Sequence, residues 1–582
     1  MPFGMRMRPS DGIEAPTRPA RGRPRERQVP LMENLYKRFC EEEYNEQGTL
    51  IKFSIHCPET FNFAYDVVDE IARIDPERPA LVWCNVAGDE RRFTFREMRD
   101  LSNQTAHFLR KAGIGQGDRV MLMLKRHYEY WYTILALHKL GAVAVPATHM
   151  LTVKDIVYRV QSASIKAVIC TPEGHVADYV EQAQQECPTL TVKVIARQPR
   201  EGFLLLDEMA EESAVWERTL TWSTDPLLMY FTSGTTGYPK AVIHDHTYPL
   251  AHIITAKHWQ NVQEGGLHLT VADTGWGKAS WGKLYGQWLA GTAVMVYDFD
   301  KFVAADLMAV IEKYRVTTFC APPTIYRFLI KEGMGHYNLS SLQYATNAGE
   351  ALNYEVYKQF LEHTGIHLME GFGQTETTLL VANLAGSVTK PGSMGKPSPL
   401  YDVFLADAQG QEVAPGEVGE IVVRPCKEGR QYGIFSAYNQ DEALYQKVWR
   451  GGVYHTGDTA YRDEDGYYWY VGRMDDIIKS SGYRIGPFEI ESVLMEHPAV
   501  LECAITGVPD PERGQVVKAT IVLTSSYQPS DELARELQQY VKKATAPYKY
   551  PRVVEFVPEL PKTISGKIRR VEIRHKDAQR QG

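Results

Sequence analysis

The chain of 582 residues is too long for one hydrophobic core and implies more than one domain. Its 44% hydrophobic and 23% charged content is that of a globular protein, and the formal net charge of -8 excludes a sequence-independent nucleic-acid binder. No run of about 18 uninterrupted apolar residues occurs, which excludes a membrane-spanning helix, and eight scattered cysteines with no Cys-x-x-Cys spacing exclude a structural zinc site or a disulfide framework and point to a reducing compartment, the cytoplasm.

The first residues carry Arg6, Arg8, Arg18, Arg21, Arg23, Arg25 and Arg27 among Pro and Gly, with few acids and few aliphatics. Such a segment cannot bury enough apolar surface to order itself, so 1–31 reads as a disordered basic extension, with Met32-Glu33-Asn34-Leu35 fitting a natural start. Over 94–112 a helix is expected. Thr94 and Glu97 form a capping box, Met98, Leu101, Thr105, Phe108 and Leu109 share one face, and Gly113 stops it. Residues 119–124 read as a buried strand. Strands at 316–321, 342–347 and 366–370 alternate with helices beginning at 322 and covering 353–363. That alternation predicts an α/β fold with a largely parallel sheet. Over 400–470 the character changes to short β elements, with a strand at 419–424 and a hairpin around Asp465-Gly466. Beyond Arg473-Met474-Asp475-Asp476 a smaller α+β unit is expected: a helix opened by Pro487, strands at 500–507 and 516–523, a helix over 531–544, and a basic tail. The boundary there divides a large domain, 32–474, of parallel-rich sheets and a small β subdomain, from a mobile domain, 475–582.

The apolar run Leu227-Leu228-Met229-Tyr230-Phe231 leads into Thr232-Ser233-Gly234-Thr235-Thr236-Gly237-Tyr238-Pro239-Lys240. Two glycines let the backbone approach an anion closely. Hydroxyls and neighbouring N–H groups can donate to phosphate oxygens, and Lys240 adds a point charge, so the loop reads as a phosphate cradle. It is not a Walker A loop, because Gly234 and Gly237 are too close and Ala241 follows Lys240. Ligands collect at the carboxyl ends of parallel strands. The polar loops at 347–351 and 371–376 also follow strands, so one shared site is expected.

Five more motifs follow in order: Gly371-Phe372-Gly373-Gln374-Thr375-Glu376, Tyr454-His455-Thr456-Gly457-Asp458, Gly472-Arg473-Met474-Asp475-Asp476, Ser481-Gly482-Tyr483-Arg484, and a lysine motif from Pro561 to Lys567. With the loop at 232–240 they resemble the adenylate-forming superfamily of acyl-CoA synthetases, luciferases and peptide-synthetase adenylation domains, over nearly everything from 45 to 575. The resemblance implies ATP, Mg2+, coenzyme A and a small carboxylic acid as the molecules bound. Thr232 through Gly237 and Lys240 would hold the β- and γ-phosphates. Gly349, Glu350, Glu370, Gly371, Phe372, Gly373 and Gln374 would bind the nucleotide, with Phe372 stacking on adenine. Thr375 would contact the α-phosphate or the substrate carboxylate, and Glu376 would hold Mg2+, a hard cation that prefers carboxylate. Asp458 would accept both ribose hydroxyls, Arg473 would make a second ribose or phosphate contact, and Arg484 would bind phosphate. Lys567 is the expected catalytic lysine, drawing two anions together.

By the same resemblance the reaction has two halves. A carboxylate attacks the α-phosphate of ATP and pyrophosphate leaves; a thiol then attacks the acyl-adenylate and releases AMP. The small domain would rotate between them about Asp475. Ser481, Gly482 and Tyr483 would then approach pantetheine, and Arg513 and Lys549 the phosphates of CoA. Glycine at 373, where acetate-specific relatives have tryptophan, implies a larger acyl group. Gly275-Trp276-Gly277-Lys278-Ala279-Ser280-Trp281, Cys320 and Ala348-Gly349-Glu350 resemble the medium-chain acyl-CoA synthetase branch. On that likeness Trp259, Lys278, Trp281, Cys320, Gly349 and Gly373 line the acyl tunnel. Short, branched or aromatic acids are expected, and a homo-oligomer is compatible with the chain. Two alternatives stand beside this one: an aryl-CoA ligase of the benzoate type, and a catalytically silent nucleotide-binding protein, which predicts a lesion at Lys567, Glu376 or Asp458.

Overall fold

The computed structural model describes residues 35–581 except 233–238, 351, 427–429, 482 and 564–566. The extension 1–31 and the candidate residues Ser233, Gly234, Thr235, Thr236, Gly237 and Gly482 lie outside the described residues.

Two large mixed sheets form the body. In one, the strands Pro226–Thr232, Val143–Pro146, Arg119–Met123, Ala167–Cys170, Val192–Ile195 and Leu204–Leu205 run parallel, and Lys240–Asp245 and Ala437–Tyr438 close one edge antiparallel. In the other, Leu368–Gly373, Tyr344–Asn347, Thr318–Ala321, Leu267–Thr270, Ala293–Asp298 and Pro79–Asn85 run parallel, with antiparallel strands at both edges. Their middle strands are apolar on both faces, as burial between helix layers requires. Helix Phe95–Lys111 is opened by the expected box: Glu97 N–H donates to Thr94 Oγ1 at 3.2 Å and Thr94 N–H to Glu97 Oε2 at 2.7 Å. A four-stranded antiparallel sheet follows, ordered Asp402–Ala406, Val418–Arg424, Tyr454–Arg462, Tyr468–Arg473. The C-terminal unit is built on Val500–Asp510 and Gly514–Leu523, with helices Pro487–Met495 and Asp531–Ala544 packed on its own apolar core.

Three features depart from expectation. The loop at 232–240 closes a hairpin, with Thr232 opposite Lys240, and the loop after Gly373 returns to the antiparallel strand Leu379–Ala382. Among the described residues each of these loops leads into a strand, whereas the one at 347–351 precedes helix Tyr354–Thr364, capped by Asn353. The strand expected at 366–370 runs on to Gly373, with a register shift between Phe372 and Gly373. The basic tail contains a helix, Arg570–Gln581.

Candidate active site

The pairing of Tyr454–Arg462 with Tyr468–Arg473 sets Asp458 opposite Arg473. The Asp458 carboxylate accepts a hydrogen bond from Gln374 Nε2 at 2.6 Å and one from the Tyr470 hydroxyl at 3.0 Å, and Arg473 Nη1 lies 3.9 Å away. Burial pushes this carboxyl above the ordinary carboxylate range, against the pull of Arg473, Tyr470, Gln374 and the charge of Lys567. Gln374 is fixed in turn, since Tyr454 donates to its Oε1 at 2.8 Å and its Nε2 reaches the Thr456 carbonyl at 2.8 Å. Lys567 belongs to the C-terminal unit and is exposed, with its N–H donating to Thr563 Oγ1 at 3.1 Å. Its charge acts on both Asp458 and Lys278.

Thr375 and Glu376 are held from the other sheet. His244, on the strand after the 232–240 loop, donates from Nε2 to the Thr375 carbonyl at 2.7 Å. Full burial drives His244 down to about 4, so the ring is neutral near pH 7 and this nitrogen carries its proton. Tyr438 donates to Glu376 Oε1 at 2.9 Å, and Lys240 Nζ lies 5.6 Å from the centre of the same ring. Tyr438 thus ties the end of the 232–240 loop to the 374–376 turn. Among the described residues no group of three His, Cys, Asp or Glu could hold a metal. One half-buried carboxylate fits Mg2+, which keeps waters and takes phosphate oxygens instead of a full protein cage.

On the nucleotide side Phe372 and Tyr470 face each other at 6.3 Å, tilted by 36°. Glu370 is buried, which raises its pKa well above normal; its Oε1 accepts from Leu352 N–H at 3.3 Å, and its Oε2 has no partner among the described residues. Opposite it in the sheet, Asn347 is fully buried with both amide atoms unpartnered. Unsatisfied buried donors and acceptors at a strand end are what a ligand amine and ring nitrogen would complete. Gly349 has φ +100°, a conformation other residues adopt only with strain, and Glu350 accepts from Thr324 Oγ1 at 3.0 Å.

The acyl-side candidates gather around two indoles. The short helix Gly277–Gly282 carries Lys278 and Trp281 one turn apart. Lys278 donates to the Ala348 carbonyl at 2.7 Å, and burial lowers its pKa. Cys320 is buried at the end of Thr318–Ala321, within reach of the Lys278 charge. A Cβ on Gly373 would lie 2.4 Å from Trp281 Cη2 and 2.3 Å from the Thr378 carbonyl oxygen. A Cβ on Gly371 would lie 2.6 Å from Trp259 Cε2. The two indoles meet edge to face, 6.2 Å apart at 86°. Gly373 therefore does not leave space for a longer acyl group in this structure: Trp281 fills it. A tryptophan introduced at 373 would strike backbone as well as indole.

The remaining candidates lie together on the C-terminal unit. Ser481 N–H donates to the Arg513 carbonyl at 3.0 Å, Tyr483 stacks on Tyr548 at 4.0 Å, and Lys549 pairs with Glu489. Arg484 is exposed. None of these has a hydrogen bond or ion pair to Asp458, Gln374 or Glu376 among the described contacts. Asp475 lies 3.4 Å from Arg473 Nε. The supports His244, Tyr438 and Tyr470 were not singled out in the sequence. Tyr454 stood inside a quoted motif, but only its full burial exposes its role in holding Gln374.

The family model for AMP-binding enzyme matches residues 68–432, and that for the AMP-binding enzyme C-terminal domain matches 489–567. The chain is 41% identical over 536 residues to the mitochondrial acyl-coenzyme A synthetase ACSM3 of Mus musculus, covering 90% of this chain and 92% of that protein. It is 42% identical over 531 residues to ACSM5 of Homo sapiens, covering 89% and 91%. Among solved structures it is similar to the anthranilate CoA ligase AuaEII in complex with anthranoyl-AMP, with TM-score 0.82, 29% identity, and 90% and 98% of the two chains covered. It is also similar to a benzoate CoA ligase from Burkholderia xenovorans LB400, with TM-score 0.76, 28% identity, and 88% and 100% covered.

Proposed function

Because the chain belongs to the family of AMP-binding enzymes, we propose that it is an ATP-dependent, AMP-forming acyl-CoA synthetase acting on short or medium, including branched, carboxylic acids. The observation that supports this is the buried network in which Asp458, opposite Arg473, accepts from Gln374 Nε2 at 2.6 Å and from the Tyr470 hydroxyl at 3.0 Å. On this reading Lys567, from the C-terminal unit, would be the catalytic lysine and Asp458 the ribose-binding carboxylate. The catalytically silent alternative lacks its required lesion, since Lys567, Glu376 and Asp458 are all present.

In the first half-reaction the acid's carboxylate oxygen bonds to the α-phosphorus and the bond to the pyrophosphate oxygen breaks. Asp458, fixed by Gln374 and Tyr470, anchors the ribose. Lys567 neutralises the approach of carboxylate and phosphate. Thr375, whose carbonyl is pinned by His244, offers its hydroxyl at the same point. Glu376 would hold Mg2+, which would spread the negative charge of the phosphates. In the second half-reaction the CoA thiol, giving up its proton, attacks the acyl carbon and AMP leaves. Ser481, Tyr483, Arg513 and Lys549 form the face that CoA would use, and Arg484 a phosphate contact.

The Trp259–Trp281 pair supports a pocket of limited depth, hence the preference for compact acids. An aromatic acid is a second reading, favoured by likeness to the anthranilate and benzoate ligases. We assign the reaction to the cytoplasm on the strength of eight unpaired cysteines; among the described residues no helix is long and apolar enough to cross a membrane, and ACSM3 and ACSM5 are named mitochondrial. The test is pyrophosphate release over linear C2–C10, branched and aromatic acids, with and without CoA. Compact acids should lead, with thioester formed only when CoA is added. Release without any added acid, or none with any, would refute the proposal.

A further inference from the structure

The strands Cys40–Tyr44 and Leu50–Ile55 form a two-stranded antiparallel sheet of their own, ahead of the residues matched by the AMP-binding family model. This hairpin grips one turn of the large unit. Helix Tyr248–Ile253 widens into a π turn, Ile254–Trp259, where Gln260 N–H donates to the Thr255 carbonyl at 2.9 Å. Two neighbours on that turn point apart. Trp259 goes to the strand Leu368–Gly373: its Nε1 donates to the Met369 carbonyl at 3.3 Å, and its indole stands against Gly371 and Trp281. His258 goes to the hairpin: its Nε2 donates to Glu42 Oε1 at 2.7 Å, in a pair whose side chains are each 7% exposed. Tyr44 donates to the other Glu42 oxygen at 3.1 Å, and the Phe53 ring meets the imidazole edge to face at 5.8 Å. Burial raises the Glu42 carboxyl, but the bonds from His258 and Tyr44 outweigh it and hold it below the ordinary carboxylate range. The backbone completes the hold. Ala385 N–H donates to the His258 carbonyl at 2.6 Å, Thr49 Oγ1 to the Gly386 carbonyl at 2.9 Å, and Asn383 N–H to the Glu370 carbonyl at 3.0 Å, beside Gly371.

A π turn is a rare, one-turn widening of a helix, frequent at functional sites. Its wider bonds leave its rotation to be set by outside contacts. A charge-assisted hydrogen bond between buried partners fixes direction as well as distance. Holding His258 therefore holds the Cα of the next residue, and with it the angle at which the Trp259 indole reaches the Gly371 strand. We propose that Glu42 and His258 are positioning residues for acid selection: the hairpin clamps the π turn so that Trp259 closes the acyl pocket at a fixed depth. This rests on the reading of Trp259 as a wall of that pocket. A displacement of about 1 Å can cost about 10²-fold in rate, and one methylene in such a pocket is worth about 10- to 200-fold. Slack in the turn therefore appears as a changed chain-length profile.

The test is kcat/KM for acid-dependent pyrophosphate release by the full chain with linear C4, C6 and C8 acids, together with KM for ATP. Glu42→Ala should raise the C8-to-C4 ratio about fivefold, mainly through KM for the acid, with KM for ATP within about twofold of wild type. Glu42→Gln keeps an acceptor for the His258 N–H and should restore most of the wild-type ratio. Glu42→Asp keeps the charge but draws it back by one methylene. It decides the matter if the alanine variant does not fold, and should shift the ratio the same way by about threefold. In a Trp259→Ala background Glu42→Asp should add less than about 1.5-fold, since both changes act through one indole. An unchanged ratio in Glu42→Asp, equal losses with every acid, a parallel rise in KM for ATP, or a fully additive shift on Trp259→Ala would overturn the clamp. A ratio unmoved by Trp259→Ala itself would instead overturn the acyl-pocket reading of that residue, and the clamp with it.

Discussion

At the strand ends of the large unit the site is held by uncharged groups. Neutral His244 pins Thr375, Tyr438 holds Glu376, Tyr454 holds Gln374, and Tyr470 holds Asp458. The C-terminal unit holds the helix that follows Lys567 with ions: Arg570 on Glu491, Arg574 on Asp476, Lys518 on Asp577, Arg580 on Glu555. The difference is one of chemistry: oriented neutral donors in one unit, paired charges in the other. Buried hydrogen bonds between neutral groups have one good geometry and leave orphans when broken. Most of these ion pairs are themselves buried, with the Asp476 and Glu491 side chains each 11% exposed and Lys518 5%, so removing one partner leaves an uncompensated charge. On the proposed two-step reading the large unit would be the still half that defines where ribose and phosphate lie, and the C-terminal unit would deliver one cation.

The sharpest break of that comparison is Lys567→Ala. It should cost about 10²–10³ in the adenylation rate, with thioesterification of supplied acyl-AMP largely kept. Comparable losses in both would mean that the C-terminal unit does not act by delivery. Next is Asp458→Asn on the still half. Losing a charged hydrogen-bonding partner is worth about 1.5–3 kcal/mol, so KM for ATP should rise about tenfold or more while KM for the acid holds; a parallel rise for the acid would place Asp458 outside ribose recognition. Trp281→Ala should follow, raising kcat/KM for C8 relative to C4 acids by about tenfold, on the scale of about 1–3 kcal/mol per methylene. An unchanged chain-length profile would remove Trp281 from the pocket.

The mildest effect concerns acid. Burial lowers His244 and His246 from 6.5 to about 4. Between those values the unfolded chain binds more protons than the folded one, so stability falls as pH drops from 6.5 toward 4 and levels off below. Near-UV circular dichroism melts should show Tm of the large unit declining across that window. His246→Phe removes a ring with neither nitrogen partnered and should flatten the slope by about one proton's worth. A Tm flat from pH 7 to 4 would contradict the buried neutral histidines.

What the chain betrays of itself depends on range. The helix at 95–111 was legible because its cap, its face and its stop are all local. The strands at 318–321 and 344–347 were legible from apolar runs between turn residues. The hairpin closures after Thr232 and Gly373 were not, since their antiparallel partners are chosen by sheet packing. Helix Arg570–Gln581 was hidden by its charge. It is held by pairs to Glu491 and Asp476, far back in the chain, which composition reads only as a solvated tail. In the site, Asp458, Gln374, Glu376 and Lys567 were marked by motif. His244, Tyr438 and Tyr470 were not, because a buried polar residue inside an apolar strand looks like any other until its partner is known. Gly373 was seen, but its meaning reversed: glycine there admits an indole.

That glycine has a bearing on how the enzyme can diversify. Gly371 with Trp259, and Gly373 with Trp281, are matched pairs of absence and bulk. Adding a methyl to either glycine collides with an indole; shrinking either indole opens a hole in a close-packed core. A lineage that replaces either glycine must therefore change both members of a pair or pass through a weakened intermediate, with the indole trimmed first, since a void can be tolerated where a collision with backbone cannot. For a protein engineer the order is the same: Trp281 first, Gly373 second.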